Sequence, residues 1–135
     1  MKHDHPPLST PPDSPVKILI VEDEFVVAAS LKETLEALGY VVTGCAASAV
    51  ETLCQVQQDR PDVVLMDIQL HGAWDGIETA TCLWHTFQLP IVYLTAHSDP
   101  TTVERAQASL PFGYLVKPVK ETELVVAINL AYRFG

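Results

Sequence analysis

The sequence predicts a doubly wound α/β fold with a five-stranded parallel sheet in the order 2-1-3-4-5. Three observations carry that expectation. From Val16 onward, short β-branched runs of strand length alternate with longer segments of helical spacing, the pattern of βαβ units. The first, third and fourth runs are nearly continuous in apolar residues, as strands covered on both faces by helices must be. Finally, 135 residues suffice for one hydrophobic core and are too few for two comfortable domains. Right-handed crossovers then put helices on both faces of the sheet.

Residues 1 to 15 contain five prolines and almost no large apolar side chains. They cannot bury enough surface to offset the entropy of ordering and are expected to form a flexible tail. His3 and His5 lie in that tail without further metal ligands nearby. The folded domain is expected over residues 16 to 135. Its strands are read at 16 to 21, 40 to 45, 62 to 66, 91 to 95 and 113 to 116. Val27, Leu31, Leu35 and Leu38 form an apolar stripe that stops at Gly39, predicting the first helix. Val50, Leu53 and Gln57 place a second before Pro61, and Ile77, Ala80 and Trp84 mark a third. The fourth should start near Asp99-Pro100, where Asp caps and Pro fits the first turn. Leu124, Ile128 and Ala131 carry the last. Trp84 is expected to pack and Trp74 to occupy an exposed loop position.

Composition narrows the function. The formal charge is −9, which disfavours direct nucleic-acid binding because a phosphate backbone needs Lys and Arg. No run of about eighteen apolar residues is present to span a bilayer. The first residues lack the basic then apolar pattern of a secretion signal, so a cytoplasmic location is the expectation. Cys45, Cys54 and Cys82 form an odd set without CxxC spacing and are expected to stay reduced.

The predicted arrangement is the flavodoxin-like one, in which functional groups cluster at the carboxyl ends of the strands. Those ends carry Glu22 and Asp23, then Asp67, Thr95 and Lys117-Pro118. Carboxylates facing one another raise one another's pKa values and call for a compensating cation. Hard carboxylate oxygens suit Mg²⁺, which bridges protein to phosphate. Asp67, leaving the central strand between metal and Lys117, is the candidate nucleophile, and the two cations would neutralise an incoming phosphoryl group.

The segments VEDE, VVLMDIQL, IVYLTAHSD and GYLVKP resemble the successive signatures of response-regulator receiver domains in two-component signalling, over residues 16 to about 133. Four ordered segments in one βα framework, carrying Glu22, Asp23, Asp67, Thr95 and Lys117, make the resemblance specific. It implies Mg²⁺, for which Mn²⁺ would substitute, held by Asp23, Asp67 and the backbone carbonyl of Gln69, with Glu22 acting through water. It further implies that Lys117 contacts the phosphoryl oxygens and that Pro118 follows a cis peptide bond. Thr95 would hydrogen-bond the phosphoryl group and Tyr114 would change rotamer. The implied partners are a sensor histidine kinase or phosphotransfer protein as donor and an unidentified downstream protein. The implied output face is the fourth helix, fifth strand and fifth helix, which would also serve a homodimer. Such a protein is a regulator that catalyses only its own phosphorylation and dephosphorylation.

Many receivers carry a Met-Pro pair shortly after the phosphoacceptor. This chain instead reads Asp67-Ile-Gln-Leu-His-Gly-Ala-Trp-Asp-Gly, which resembles a subgroup with DIxLxGxxDGIE. Gln69 and His97 stand two residues beyond Asp67 and Thr95 and are expected to tune the phosphoryl lifetime. The alternatives are a phosphorylation-independent interaction module and a phosphatase of the haloacid-dehalogenase kind, which would need an acid where Gln69 stands. The sequence stops just after the fifth predicted helix, which fits a single-domain regulator or a piece of a longer protein.

Overall fold

The computed structural model describes residues 14–96, 100–108 and 112–135. Most of the expected tail, together with His97 and the Asp99 cap, lies outside the described residues. In chain order the elements are β1 (Lys17–Val21), α1 (Phe25–Ala37), β2 (Val41–Ala46), α2 (Ala49–Gln58), β3 (Val63–Asp67), α3 (Gly76–Phe87), β4 (Ile91–Thr95), α4 (Pro100–Ala108), β5 (Gly113–Val116) and α5 (Glu121–Phe134). The strands pair in parallel in the order β2-β1-β3-β4-β5, the flavodoxin-like arrangement expected. β3 runs one residue further than read from the sequence, so Asp67 is its last residue.

Strand side chains alternate between two cores because successive residues point to opposite faces. Leu19, Val21, Val64, Met66 and Tyr93 pack with Val56, Ile77, Ala80, Leu83 and Ala106. That face carries α2, α3 and α4. Ile18, Ile20, Val63, Leu65, Val92 and Leu94 pack with Ala28, Leu35, Leu124, Ile128 and Ala131, so α1 and α5 cover the other face. Every residue of β3 and β4 is buried, which is why these runs read as continuous apolar segments.

Two helix faces differ from the sequence expectation. In α1, Ala28 takes an inward position while Leu38, at the C-cap, is 38% exposed. In α2, Val50 and Gln57 face solvent, and Thr52, Leu53 and Val56 point inward. The cause is local capping. Ser48 accepts a hydrogen bond from the Glu51 N–H at 3.2 Å, which starts the helix at Ala49. The Thr52 hydroxyl then donates to the Ser48 carbonyl at 2.8 Å, so a polar residue becomes buryable. Trp84 packs tilted on Phe112 with ring centroids 5.6 Å apart, and Trp74 is exposed in the β3–α3 loop. The three cysteines are free thiols. Among the described residues no helix is long and apolar enough to cross a membrane.

Candidate functional site

The carboxyl end of β1 delivers Glu22 and Asp23, and the chain turns there into α1. Glu22 is fixed first. Its N–H donates to the Ala46 carbonyl at 2.9 Å, and the residue is only 3% exposed. A carboxylate so buried needs charged or polar partners. It has them: Lys117 Nζ donates to Oε1 at 2.9 Å and the Glu24 N–H donates to Oε2 at 3.1 Å.

Asp67 closes β3 beside it. Its Oδ1 accepts the Gln69 N–H at 3.0 Å, and its Oδ2 lies 3.8 Å from Lys117 Nζ. The following backbone is held to the sheet by Ile68 N–H donating to the Leu94 carbonyl at 3.0 Å. Beneath it, Gly76 N–H donates to the Ile68 carbonyl at 3.0 Å. A Cβ at Gly76 would stand 2.0 Å from the Asp67 backbone oxygen, so no other residue fits without moving the end of β3. Asp75 then starts α3 with a capping box, its carboxylate accepting the Glu78 N–H at 2.9 Å while Glu78 accepts the Asp75 N–H at 3.0 Å. Arg105 from α4 reaches Asp75 at 2.9 Å.

Lys117 is placed by β5 and its neighbour. Its N–H donates to the Thr95 carbonyl at 2.7 Å, and the Lys117–Pro118 peptide is cis. Thr95, the last residue of β4, is buried. Tyr114 stands opposite Tyr93 in the β4–β5 register and packs against the core on the α2, α3 and α4 face. Its hydroxyl is buried without a hydrogen-bond partner among the described residues.

The charges explain the titration behaviour. Burial pushes the Asp67 carboxyl up to about 6, and the contact with Glu22 and its negative charge add to the shift; the Gln69 N–H and Lys117 oppose it. For Asp23, burial opposes ionisation, but the contacts from His71 outweigh it and hold the carboxyl below its usual value. The Asp23 contact raises the His71 imidazole in return. Burial works against the Lys117 ammonium, yet the bond to Glu22 and the charges of Asp67 and Glu22 keep it above its ordinary value.

Glu22, Asp23 and Asp67 each offer a carboxylate oxygen, and these oxygens lie within 4.8 Å of one another. Three carboxylates with one ammonium leave an excess of negative charge, and all the donors are hard oxygens. That set fits Mg²⁺ or Mn²⁺. The sequence-predicted Glu22, Asp23, Asp67 and Lys117 therefore converge. Thr95 ends the adjacent strand, Tyr114 lies one strand further, and the Gln69 side chain is exposed. Two contributors escaped the sequence reading. Gly76 carried a signal, the Asp-Gly pair at a helix start. His71 carried none, since its Asp23 contact spans 48 positions.

The sequence profile described as the response regulator receiver domain matches residues 18–129. Among curated proteins, the transcriptional regulatory protein PdtaR of Mycobacterium tuberculosis is 38% identical over 117 residues, covering 87% of this chain and 57% of that protein. The chain thus spans about half the length of the curated relatives it matches. Among solved structures, the signal receiver domain of a modulated diguanylate cyclase from Desulfovibrio desulfuricans G20 is 42% identical with a TM-score of 0.83, covering 88% of this chain and 94% of that one. The Vibrio cholerae chemotaxis protein CheY4 is 27% identical with a TM-score of 0.78, covering 87% and 99%.

Proposed function

From the premise that this chain belongs to the response-regulator receiver domain family, we propose that it is a phosphorylation switch whose acceptor is Asp67. The observation that carries the reading is the convergence at Asp67: two further carboxylates within 4.8 Å and the Lys117 ammonium at 3.8 Å. A carboxylate oxygen of Asp67 attacks the phosphorus of a phosphohistidine on a histidine kinase or phosphotransfer protein. The P–N bond breaks and the imidazole leaves. Lys117 faces the phosphoryl oxygens, and the Thr95 hydroxyl donates to one of them. Asp23, Asp67 and the Gln69 carbonyl, with Glu22 behind them, would hold Mg²⁺, which when bound supplies positive charge against the phosphoryl oxygens.

Binding of the phosphoryl group must favour one of two states through differential contacts. Thr95 and Tyr114 are suited to that link, because the Tyr114 hydroxyl, without a hydrogen-bond partner among the described residues, gains from any rotamer that reaches a partner or water. The output is then read on α4, β5 and α5 by an unidentified downstream protein. At the other end of the pocket, Phe25 and Val26 are exposed at the start of α1, next to the acidic residues. They offer an apolar contact for the phosphodonor protein. The cytoplasm is the compartment this chemistry expects.

The decisive test is incubation with acetyl phosphate and Mg²⁺ followed by intact mass. The parent chain should gain one phosphoryl group, and Asp67→Asn should gain none. Absence of any Mg²⁺-dependent adduct on the parent would favour a phosphorylation-independent interaction module instead. Hydrolysis of the acyl phosphate follows with the chain's own residues, and Gln69 and His97 are its proposed lifetime determinants. Gln69→Ala and His97→Ala should each change the dephosphorylation rate by about threefold or more, roughly the weight of one modest polar contact. Unchanged rates in both would reject that role.

A further inference from the structure

We propose that His71 is a latch on Asp23: in the metal-free chain its donors occupy a carboxylate oxygen of the cation pocket, so His71 sets how tightly that pocket takes a divalent cation. The inference rests on the metal-binding reading above and deepens it. Two contacts meet on one atom. Oδ2 of Asp23 accepts the His71 backbone N–H at 3.2 Å and is also the partner of the imidazole Nδ1. A carboxylate oxygen has two lone pairs in reach of donors, and here both are engaged by the same residue.

The surroundings of the two partners differ. The Asp23 side chain is 16% exposed and belongs to the pocket, whereas the His71 side chain is 90% exposed. The imidazole stands mostly in solvent, and the Asp23 carboxylate is its hydrogen-bond partner. A cation that uses this oxygen must exchange those hydrogen bonds for coordination. Mg²⁺ is exacting about geometry and gives up water reluctantly, so a ligand already engaged by donors lowers its affinity. The Nδ1 contact is the part a substitution can remove, since the backbone N–H stays.

The loop also supplies its own reporter. His71 lines a groove of about 270 Å³ together with Val50, Leu53 and Trp74. Movement of His71 away from Asp23 therefore changes the environment of the Trp74 indole.

The experiment is a Mn²⁺ titration of the 135-residue chain and of its His71→Ala variant, with free Mn²⁺ counted by electron paramagnetic resonance and Mg²⁺ measured by competition against it; tryptophan emission follows the loop in the parent. His71→Ala should bind both cations about two- to fivefold more tightly, the weight of an exposed charged contact. Because the latch steadies the metal-free chain by that same small amount, its removal should lower the thermal midpoint in chelator, by no more than about 4 °C. Equal or weaker binding by His71→Ala overturns the latch, while loss of binding in Asp67→Asn would still support the metal site. No saturable binding by the parent, or binding indifferent to both Asp23→Asn and Asp67→Asn, overturns the metal reading and the latch with it.

Discussion

The proposed acceptor carboxylate sits where its charge is least comfortable. Asp67 is nearly buried beside Glu22, and its pKa of about 6 stands above the ordinary 3.8. A carboxyl raised in the folded state binds more protons there than in the unfolded chain between those two values. The associated stability is therefore fully present below about pH 4 and lost as pH rises through about 6. At neutral pH, without a divalent cation, the ionised Asp67 costs stability. Asp67→Asn removes that charge, and in chelator at pH 7.5 it should unfold with a free energy about 1–2 kcal/mol higher than the parent. Urea denaturation checks this, and the gain should vanish near pH 4. Saturating Mg²⁺ should narrow the difference, since it restores the parent more than the variant. All four converging residues were legible in the sequence because each ends a strand of recognisable pattern. The raised pKa was legible only as a direction, because its size depends first on how deeply Asp67 itself is buried, then on its contact with Glu22 and on the 2.9 Å bond that draws Lys117 toward Glu22.

Among the elements, α3 shows how local capping fixes a site from below. Asp75 caps the helix in a reciprocal box with Glu78 and also receives Arg105 from α4. Asp75→Ala should destabilise the fold by about 1 kcal/mol, the usual weight of a cap, measurable as a lower urea midpoint with an unchanged slope. The exposed Arg105 contact adds little to that figure. Strand and helix positions were readable because apolar runs of period two and of period 3.6 differ sharply. Helix faces were less so. The α2 face was misplaced because Val50 counts as apolar yet faces solvent, while Thr52 counts as polar yet is buried once its hydroxyl reaches the Ser48 carbonyl. Periodicity weighs residue types; it does not know where a cap sets the first turn.

At the scale of the whole molecule, the sheet separates chemistry at one end from exposed apolar surface along α5. Val126, Leu130 and Phe134 are exposed at four-residue spacing, so they share one helix face, with Val116 of β5 also exposed. An apolar stripe of this kind could meet its own copy across a two-fold axis. Sedimentation velocity should find more dimer after phosphorylation, and the double variant Val126→Glu with Leu130→Glu should weaken that dimer about tenfold or more. Strand order was legible because crossover handedness leaves few topologies, and the strand-end cluster followed from it. The His71 contact was not, since it depends on how the eight-residue loop between Asp67 and Gly76 folds back toward Asp23. That same stretch has an anchor at its far end: Gly76 lies so close under the Asp67 carbonyl that the chain is pinned on both sides of residues 69 to 74. Within that span Leu70 is buried and Gln69 and His71 serve the pocket, so only the exposed residues 72 to 74 can change in length and sequence without disturbing Asp67. The outer tip of the loop is thus the place for an engineer to graft a recognition peptide while the Asp67 carboxylate stays where it is.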